Sequence, residues 1–322
     1  MEYGRGHSKA ISLIPEVAVE GERGDFVISQ AANKMGKVRS GLGKWLLLLV
    51  TCFLTAGCDA TESVPSDAEA YVKRGLTNVK NGQYDQAIAD FTKALEINRK
   101  LAEAYSARGF AYEKKNQYDQ AIADFTKAVE VNPRYALGYY NRGVAYGTKG
   151  RQYDQAIADF TKALEIDPGL AEAYTARGLA YESKGQHDQA IADFTKALQI
   201  NASSALAYYN RGITYGRHGQ HKQAIADYTK ALEMDPRFAE AYNNRGIAYR
   251  MRGRYDQAIS DHTKALEINP RSALAYNGRA IAYYSLKDYD RAWDDVYKAQ
   301  DLGLQIRPGF LNALREASGK EQ

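Results

Sequence analysis

Apolar residues in this chain fall into short runs of helical spacing that return at a fixed interval. In AEAYTARGLAYES, residues 171–183, small and apolar side chains recur every three to four places. HDQAIADFTKALQI, residues 187–200, does the same after a Lys-Gly-Gln break. The pair is then written again and again. From Ala68 the pattern repeats with a period of 34 residues, once 35, giving units at 68–101, 102–135, 136–170, 171–204, 205–238, 239–272 and 273–306. The long unit is the third, where Arg151 is extra between Gly150 and Gln152. Each unit predicts two helices separated by a Gly- or Lys/Asn-rich turn, as in KNGQYDQ at 80–86. Asn-Pro or Asp-Pro closes the second helix at 132–133, 167–168, 235–236 and 269–270. Proline disfavours helix in the residue before it and begins the next helix well. Asp85, Asp119, Asp154 and Asp188 fall in the first turn of the second helix, where the macrodipole favours a carboxylate.

The interval and its fixed positions resemble the tetratricopeptide repeat, a helix-turn-helix unit of this length. In the fourth unit Tyr174, Gly178, Tyr181, Ala190, Phe194 and Ala197 occupy that family's signature places, and units in register cover about three quarters of the chain. The resemblance implies an all-α fold, a right-handed superhelical solenoid of seven helix pairs. PGFLNALREA at 308–317 reads as an amphipathic helix, so 307–322 is expected to cap the last repeat and end in a short tail.

Glycine in a helix interior costs about 1 kcal/mol against alanine, yet Gly75, Gly109, Gly143, Gly178, Gly212 and Gly246 recur there. Close contact with Ala87, Ala121, Ala156, Ala190, Ala224 and Ala258 on the second helix is the expected reason. Phe91, Phe125, Phe160 and Phe194 fill the gap beneath, and the last three units hold Tyr228, His262 and Val296 instead. Packing is therefore expected to loosen toward the C-terminus. The first unit has Asn78 for Tyr, and the last has Ala280 for Gly. Every unit also carries an Arg (74, 108, 142, 177, 211, 245, 279) and an Asp (90, 124, 159, 193, 227, 261, 295). Two readings stand: an ion pair bracing each helix pair, or a cationic ladder facing a ligand.

Recognition residues should differ between units. In proteins of this kind the first helices line the concave face, along a stripe spaced i, i+3, i+7, i+10. In units three and five that stripe is Leu137, Tyr140, Val144, Gly147 and Leu206, Tyr209, Ile213, Gly216. In units two and four it is Glu103, Ser106, Phe110, Glu113 and Glu172, Thr175, Leu179, Glu182. The array thus alternates on a double period, predicting an apolar floor, two aromatic steps and acidic patches. The two tyrosines read equally as ligand contacts or as packing between repeats. The expected occupant is a neutral-to-basic, partly apolar peptide. The Lys/Asn set with which some repeats of this family clamp a terminal carboxylate is missing.

Before the repeats, WLLLLVTCFLTAG at 45–57 is too short to span a bilayer, which takes about 20 residues. It suits the apolar core of a signal peptide, with Lys37, Arg39 and Lys44 ahead of it. Thr55-Ala56-Gly57-Cys58 resembles the lipobox of bacterial lipoproteins, although Leu54 stands one place early. The resemblance makes Cys58 the lipidated residue, 35–57 the signal peptide and 58–67 the lipidated Cys and tether. It further makes Asp59 a mark of inner-membrane retention in enterobacteria-like hosts. MGKVRSGLGKWLLLLVTCFLTAGC, from Met35, is a complete leader, so 1–34 is expected to be a mis-annotated or disordered extension. Cys52 would leave with the leader, and no thiol pair remains.

Net charge is +4, with both signs interspersed and no basic run, so nucleic acid is not expected. Tyr occurs 25 times against 9 Phe, which suits helix seams and recognition surfaces. There is no P-loop, His-Glu-x-x-His or Cys-x-x-Cys motif. His218-x-x-His221, with His187 one repeat earlier, is a poor metal set. The reading is non-enzymatic, without cofactor or metal: a membrane-tethered scaffold of the bacterial cell envelope that binds other envelope proteins or peptides. The alternative is a self-associating assembly or pilotin-like lipoprotein, hence a possible homo-oligomer.

Overall fold

The computed structural model of the chain describes residues 67–150 and 152–320. The leader, Cys58, most of the tether and Arg151 lie outside the described residues. Within them the fold is all-α, fourteen of fifteen helices forming seven antiparallel pairs. Contacts divide the chain into two compact units, whose described parts are 67–202 and 203–320. The first holds α1 (Asp67–Lys80), α2 (Tyr84–Ile97), α3 (Ala102–Lys114), α4 (Tyr118–Val131), α5 (Ala136–Gly150), α6 (Tyr153–Ile166), α7 (Ala171–Ser183) and α8 (His187–Ile200). The second holds α9 (Ala205–Arg217), α10 (His221–Met234), α11 (Ala239–Met251), α12 (Tyr255–Ile268), α13 (Ala273–Ser285), α14 (Tyr289–Asp301) and α15 (Pro308–Ser318). Odd-numbered helices α1 to α13 are the first of a pair, even-numbered ones the second.

In six of the seven pairs the turn reverses the chain through a residue in the left-handed region. Gly82 has φ +75° there, and its N–H donates to the Val79 carbonyl at 3.0 Å. Asn116 and Lys287 take the same place at φ 59° and 64°.

The mid-helix glycines are required by rings. A Cβ on Gly75 would lie 2.7 Å from the Phe91 ring, and one on Gly143 would lie 2.8 Å from Phe160. The Ala156 carbonyl is further, at 3.2 Å. The alanines on the second helix are thus a secondary contact, not the primary one the sequence suggested. The expected loosening toward the C-terminus is not found at these sites. Tyr228 is 4% exposed, and His262 and Val296 are fully buried. The substitutions are matched in size instead: where Ala280 replaces the glycine, the shorter Val296 replaces the ring.

The recurrent Arg and Asp form the brace, with an addition. Arg108 donates from Nε and Nη2 to the two Asp124 oxygens at 2.7 and 2.8 Å, within one pair. Its remaining Nη1 donates to Thr92 Oγ1 of the preceding pair at 3.0 Å. Arg142 repeats this with Asp159 and Thr126, Arg177 with Asp193 and Thr161, and Arg279 with Asp295 and Thr263. Each of these guanidinium groups therefore ties its own helices together and stitches them to the repeat before. Its flat face lies over a tyrosine one turn back, as Arg142 lies over Tyr139 at 5.5 Å. With donors spent in this way, the ligand-facing reading of the Arg ladder falls. Arg74, first in the series, is 62% exposed, and in the pair it heads Asn78 takes the tyrosine's place and donates to Asp90 at 2.9 Å.

A second set of rungs runs along the turn edge. Lys115 pairs with Asp85, Lys149 with Asp119 and Lys184 with Asp154, always 30 residues apart. At the C-terminal end α15 covers α14: Ile306 and Leu314 join Trp293 and Val296 in one apolar cluster. Trp293 Nε1 donates to Ser318 Oγ at 3.1 Å. Lys320 meets Asp290 at 2.8 Å, again 30 residues apart, so the tail supplies the rung a further repeat would have supplied.

Candidate functional site

The candidate surface is the stripe of first-helix residues within each unit. In the first unit it runs over α3, α5 and α7, whose successive members touch. Glu103, Leu137, Val144 and Glu172 are half-buried on it. Tyr140 is 7% exposed, its ring centroid 5.8 Å from that of Phe160, so it enters the face as a packed ring rather than as an open step. Gly147 is likewise buried. Burial raises the Tyr140 phenol well above its ordinary value, and the nearby carboxylates of Glu172 and Glu113 push it further in the same direction. That electrostatic coupling joins side chains from α7, α5 and α3 around one ring. Burial also raises the Glu113 carboxyl, opposed by Lys114 3.8 Å away. Glu182 is 8% exposed and within 2.8 Å of His187 Nδ1.

In the second unit Leu206, Tyr209, Ile213 and Gly216 are half-buried on α9. The Tyr209 ring is 4.5 Å from Phe238 and 6.0 Å from Tyr228, and its hydroxyl accepts from Asn244 Nδ2 at 3.1 Å. Tyr209 is thus also a packing residue, with its polar tip satisfied from the next repeat. A Cβ on Gly216 would meet only ordinary contacts, 3.6 Å to the Tyr228 hydroxyl and 3.8 Å to Ala224, so the backbone there leaves a shallow space. Asn141 on α5 mirrors Asn244, donating to Ser106 Oγ on α3 at 3.2 Å. These asparagine links and the threonines of the brace escaped sequence reasoning. Their signal was recurrence at one repeat position: Thr92, Thr126, Thr161, Thr229 and Thr263 are written in register.

His262 is the unusual group of the second unit. It occupies the phenylalanine place, fully buried, with Nδ1 3.1 Å from Asn243 Oδ1 and Nε2 without a partner. Burial lowers its pKa to about 3, and Arg250 and Arg279 act in the same direction. Among the described residues no group of three or more His, Cys, Asp or Glu could hold a metal ion, and no helix is long and apolar enough to cross a membrane.

Comparison with known proteins matches this architecture. The model described as "Tetratricopeptide repeat" matches residues 102–135, 205–238 and 239–272. That described as "TPR repeat" matches 77–116, 152–185 and 178–219. Together they cover more than half of the chain. Among solved structures, the chain is similar to YrrB, described as a TPR protein with an unusual peptide-binding site. Identity is 27% and the TM-score 0.50, over 57% of this chain and 95% of that one. It shares its fold with a tetratricopeptide repeat protein from Parabacteroides merdae, at 21% identity and TM-score 0.57, over 79% of this chain and 99% of that one. It also shares it with pilF of Pseudomonas aeruginosa, at 20% identity and TM-score 0.60, over 67% and 97%. No curated protein matches the chain. Repeat interval, paired helices and matched models agree, and the chain belongs to the tetratricopeptide repeat family of protein-interaction scaffolds.

Proposed function

We propose that the chain is a lipid-anchored adaptor of the bacterial cell envelope, exported and held at the membrane through Cys58. On this reading its first-helix face takes a partly apolar, neutral-to-basic peptide segment of an envelope partner. One observation carries the recognition part: Glu113, Tyr140 and Glu172 come from three successive first helices and are electrostatically coupled, over a brace that does not vary. Burial raises the Glu113 carboxyl, and an incoming cation offsets the cost of charging it there. The peptide-binding site named for YrrB supports the peptide class. The anchor rests on the Cys58 motif and its leader. A lipid that confines the scaffold to one surface raises its effective concentration toward partners there.

The test is photo-crosslinking in the native host with probes at Val144 and Leu137, followed by mass spectrometry. One or two dominant envelope proteins are expected, and loss of the adduct in a Glu113→Gln/Glu172→Gln double variant. Adducts only to copies of this chain would turn the reading to self-association. Fractionation of Cys58→Ser tests the anchor separately: the variant should leave the membrane fraction, and its retention there would overturn the lipid assignment.

A further inference from the structure

The turn-edge rungs change sign in the second unit. In the first unit Lys115, Lys149 and Lys184 each meet an aspartate 30 residues earlier. Arg252 stands at the same register in the turn between α11 and α12, and the residue 30 places before it is Lys222. A cation thus stands where every other rung of this series offers a carboxylate. Arg254 adds a third charge, in the place just before the second helix that holds Gln83, Gln117, Gln152 and Gln220 in other repeats. Lys222, Arg252 and Arg254 are all exposed, and none takes part in an ion pair. The nearest acidic residue in sequence, Asp256, belongs to the following rung, where Leu286 stands opposite, and it too is in no ion pair. Two residues before Arg252, the Arg250 Nε is buried without a partner.

We propose that this turn edge of the fifth and sixth repeats is a docking site for a carboxylate-rich segment of a partner protein. The geometry is that of a rung whose anion has been removed. Elsewhere the cation at this register receives a side-chain carboxylate from its own chain. At Arg252 the chain supplies a second cation, so the carboxylate comes from outside. Two cations held together by the fold repel, and an anion between them relieves that repulsion while gaining charge-assisted hydrogen bonds. The site is separate from the first-helix face and opposite to it in the charge it selects. An adaptor with both would hold a basic, partly apolar segment on one surface and an acidic one on the other.

The probe is a labelled oligo-glutamate peptide titrated into the full chain. Binding is expected at low ionic strength and loss of binding in high salt. Lys222→Asp rebuilds the rung with Arg252 inside the chain. It should weaken binding about tenfold, with thermal stability unchanged or raised. Arg254→Gln should weaken binding less. Asp119→Lys creates a like-charged rung with Lys149 in the first unit and should add peptide binding there. Glu113→Gln/Glu172→Gln should leave oligo-glutamate binding unchanged, which separates failure of this site from failure of the first-helix face. The proposal is overturned by a wild type that does not bind the peptide at low salt, or by Lys222→Asp binding as well as wild type. It is also overturned if phosphatidylglycerol-rich vesicles bind in a Lys222-dependent manner while the peptide does not.

Discussion

At the scale of the residue, the repeats are governed by contacts between a missing Cβ and a ring. Gly143→Ala places a methyl 2.8 Å from the Phe160 ring and 3.2 Å from the Ala156 carbonyl. Overpacking of this kind costs about 1–3 kcal/mol. The Ala280 and Val296 pair shows how the chain itself accommodates the methyl, so Gly143→Ala/Phe160→Val should recover part of the loss. A double-mutant cycle by urea denaturation reads the coupling, and strict additivity would show that glycine and ring act independently. His262 gives a pH signature. Its folded-state pKa of about 3 lies below the ordinary 6.5, so the unfolded chain takes up a proton before the folded one does. Stability from this group is fully present above pH 6.5 and is lost as pH falls from there toward 3, at up to about 1.4 kcal/mol per pH unit. His262→Phe restores the ring used in other repeats and should melt with a shallower acid dependence between pH 6.5 and 4. Parallel profiles for the two proteins would remove His262 as the cause.

At the scale of the element, helix pairs are closed by a left-handed turn and tied by one arginine each. Glycine meets the turn requirement at Gly82, Gly185, Gly219 and Gly253, while Lys287 adopts φ 64° with a side chain. Left-handed backbone costs a residue with a Cβ about 1–2 kcal/mol, so Lys287→Gly should stabilise the last pair, seen as a raised melting temperature. Arg142→Lys keeps the charge but loses the fork that reaches Asp159 and Thr126 together. The pair is partly solvent-screened, so the expected cost is about 1–2 kcal/mol. Arg74→Lys should cost less, because among the described residues no threonine of an earlier helix pair meets Arg74 and the side chain is 62% exposed. Equal losses would mean that the stitch to the preceding repeat contributes nothing. Helix positions, turns and buried rings were legible in the sequence because each is a local periodicity written several times. The stitch was not, since Thr92 and Arg108 belong to different repeats and their link exists only when repeats stack. Which of the two readings of Tyr140 and Tyr209 holds was not legible for a related reason. A stripe on one helix shows which residues share a face, but whether Tyr140 is open depends on Phe160, which lies on the partner helix.

At the scale of the whole molecule, the chain combines an unvarying frame with two kinds of variation. One is the double period along the first helices, visible in the sequence once the repeats are aligned. The other is the sign change at Lys222 and Arg252, which means nothing until the lysine–aspartate rungs are seen to join residues 30 apart. The C-terminal cap belongs to this scale as well. Removal of residues 307–322 uncovers Trp293 and Val296, which α15 otherwise shields. Trp293 emission should then shift to the red and the truncated chain should self-associate, both absent if another element covers that surface.

The contact between Lys320 and Asp290 has a consequence for how such a chain can lengthen. The tail imitates the side chain that a following repeat would contribute, so the array ends in a counterfeit of its own next unit. It behaves like a polymer carrying a terminator at one end. Copies of a repeat spliced in ahead of Arg307 inherit matched neighbours on both sides, whereas a repeat placed against α14 from beyond α15 would meet a docking surface that α15 and Lys320 already occupy. The double period along the first helices is the kind of record that such insertion leaves.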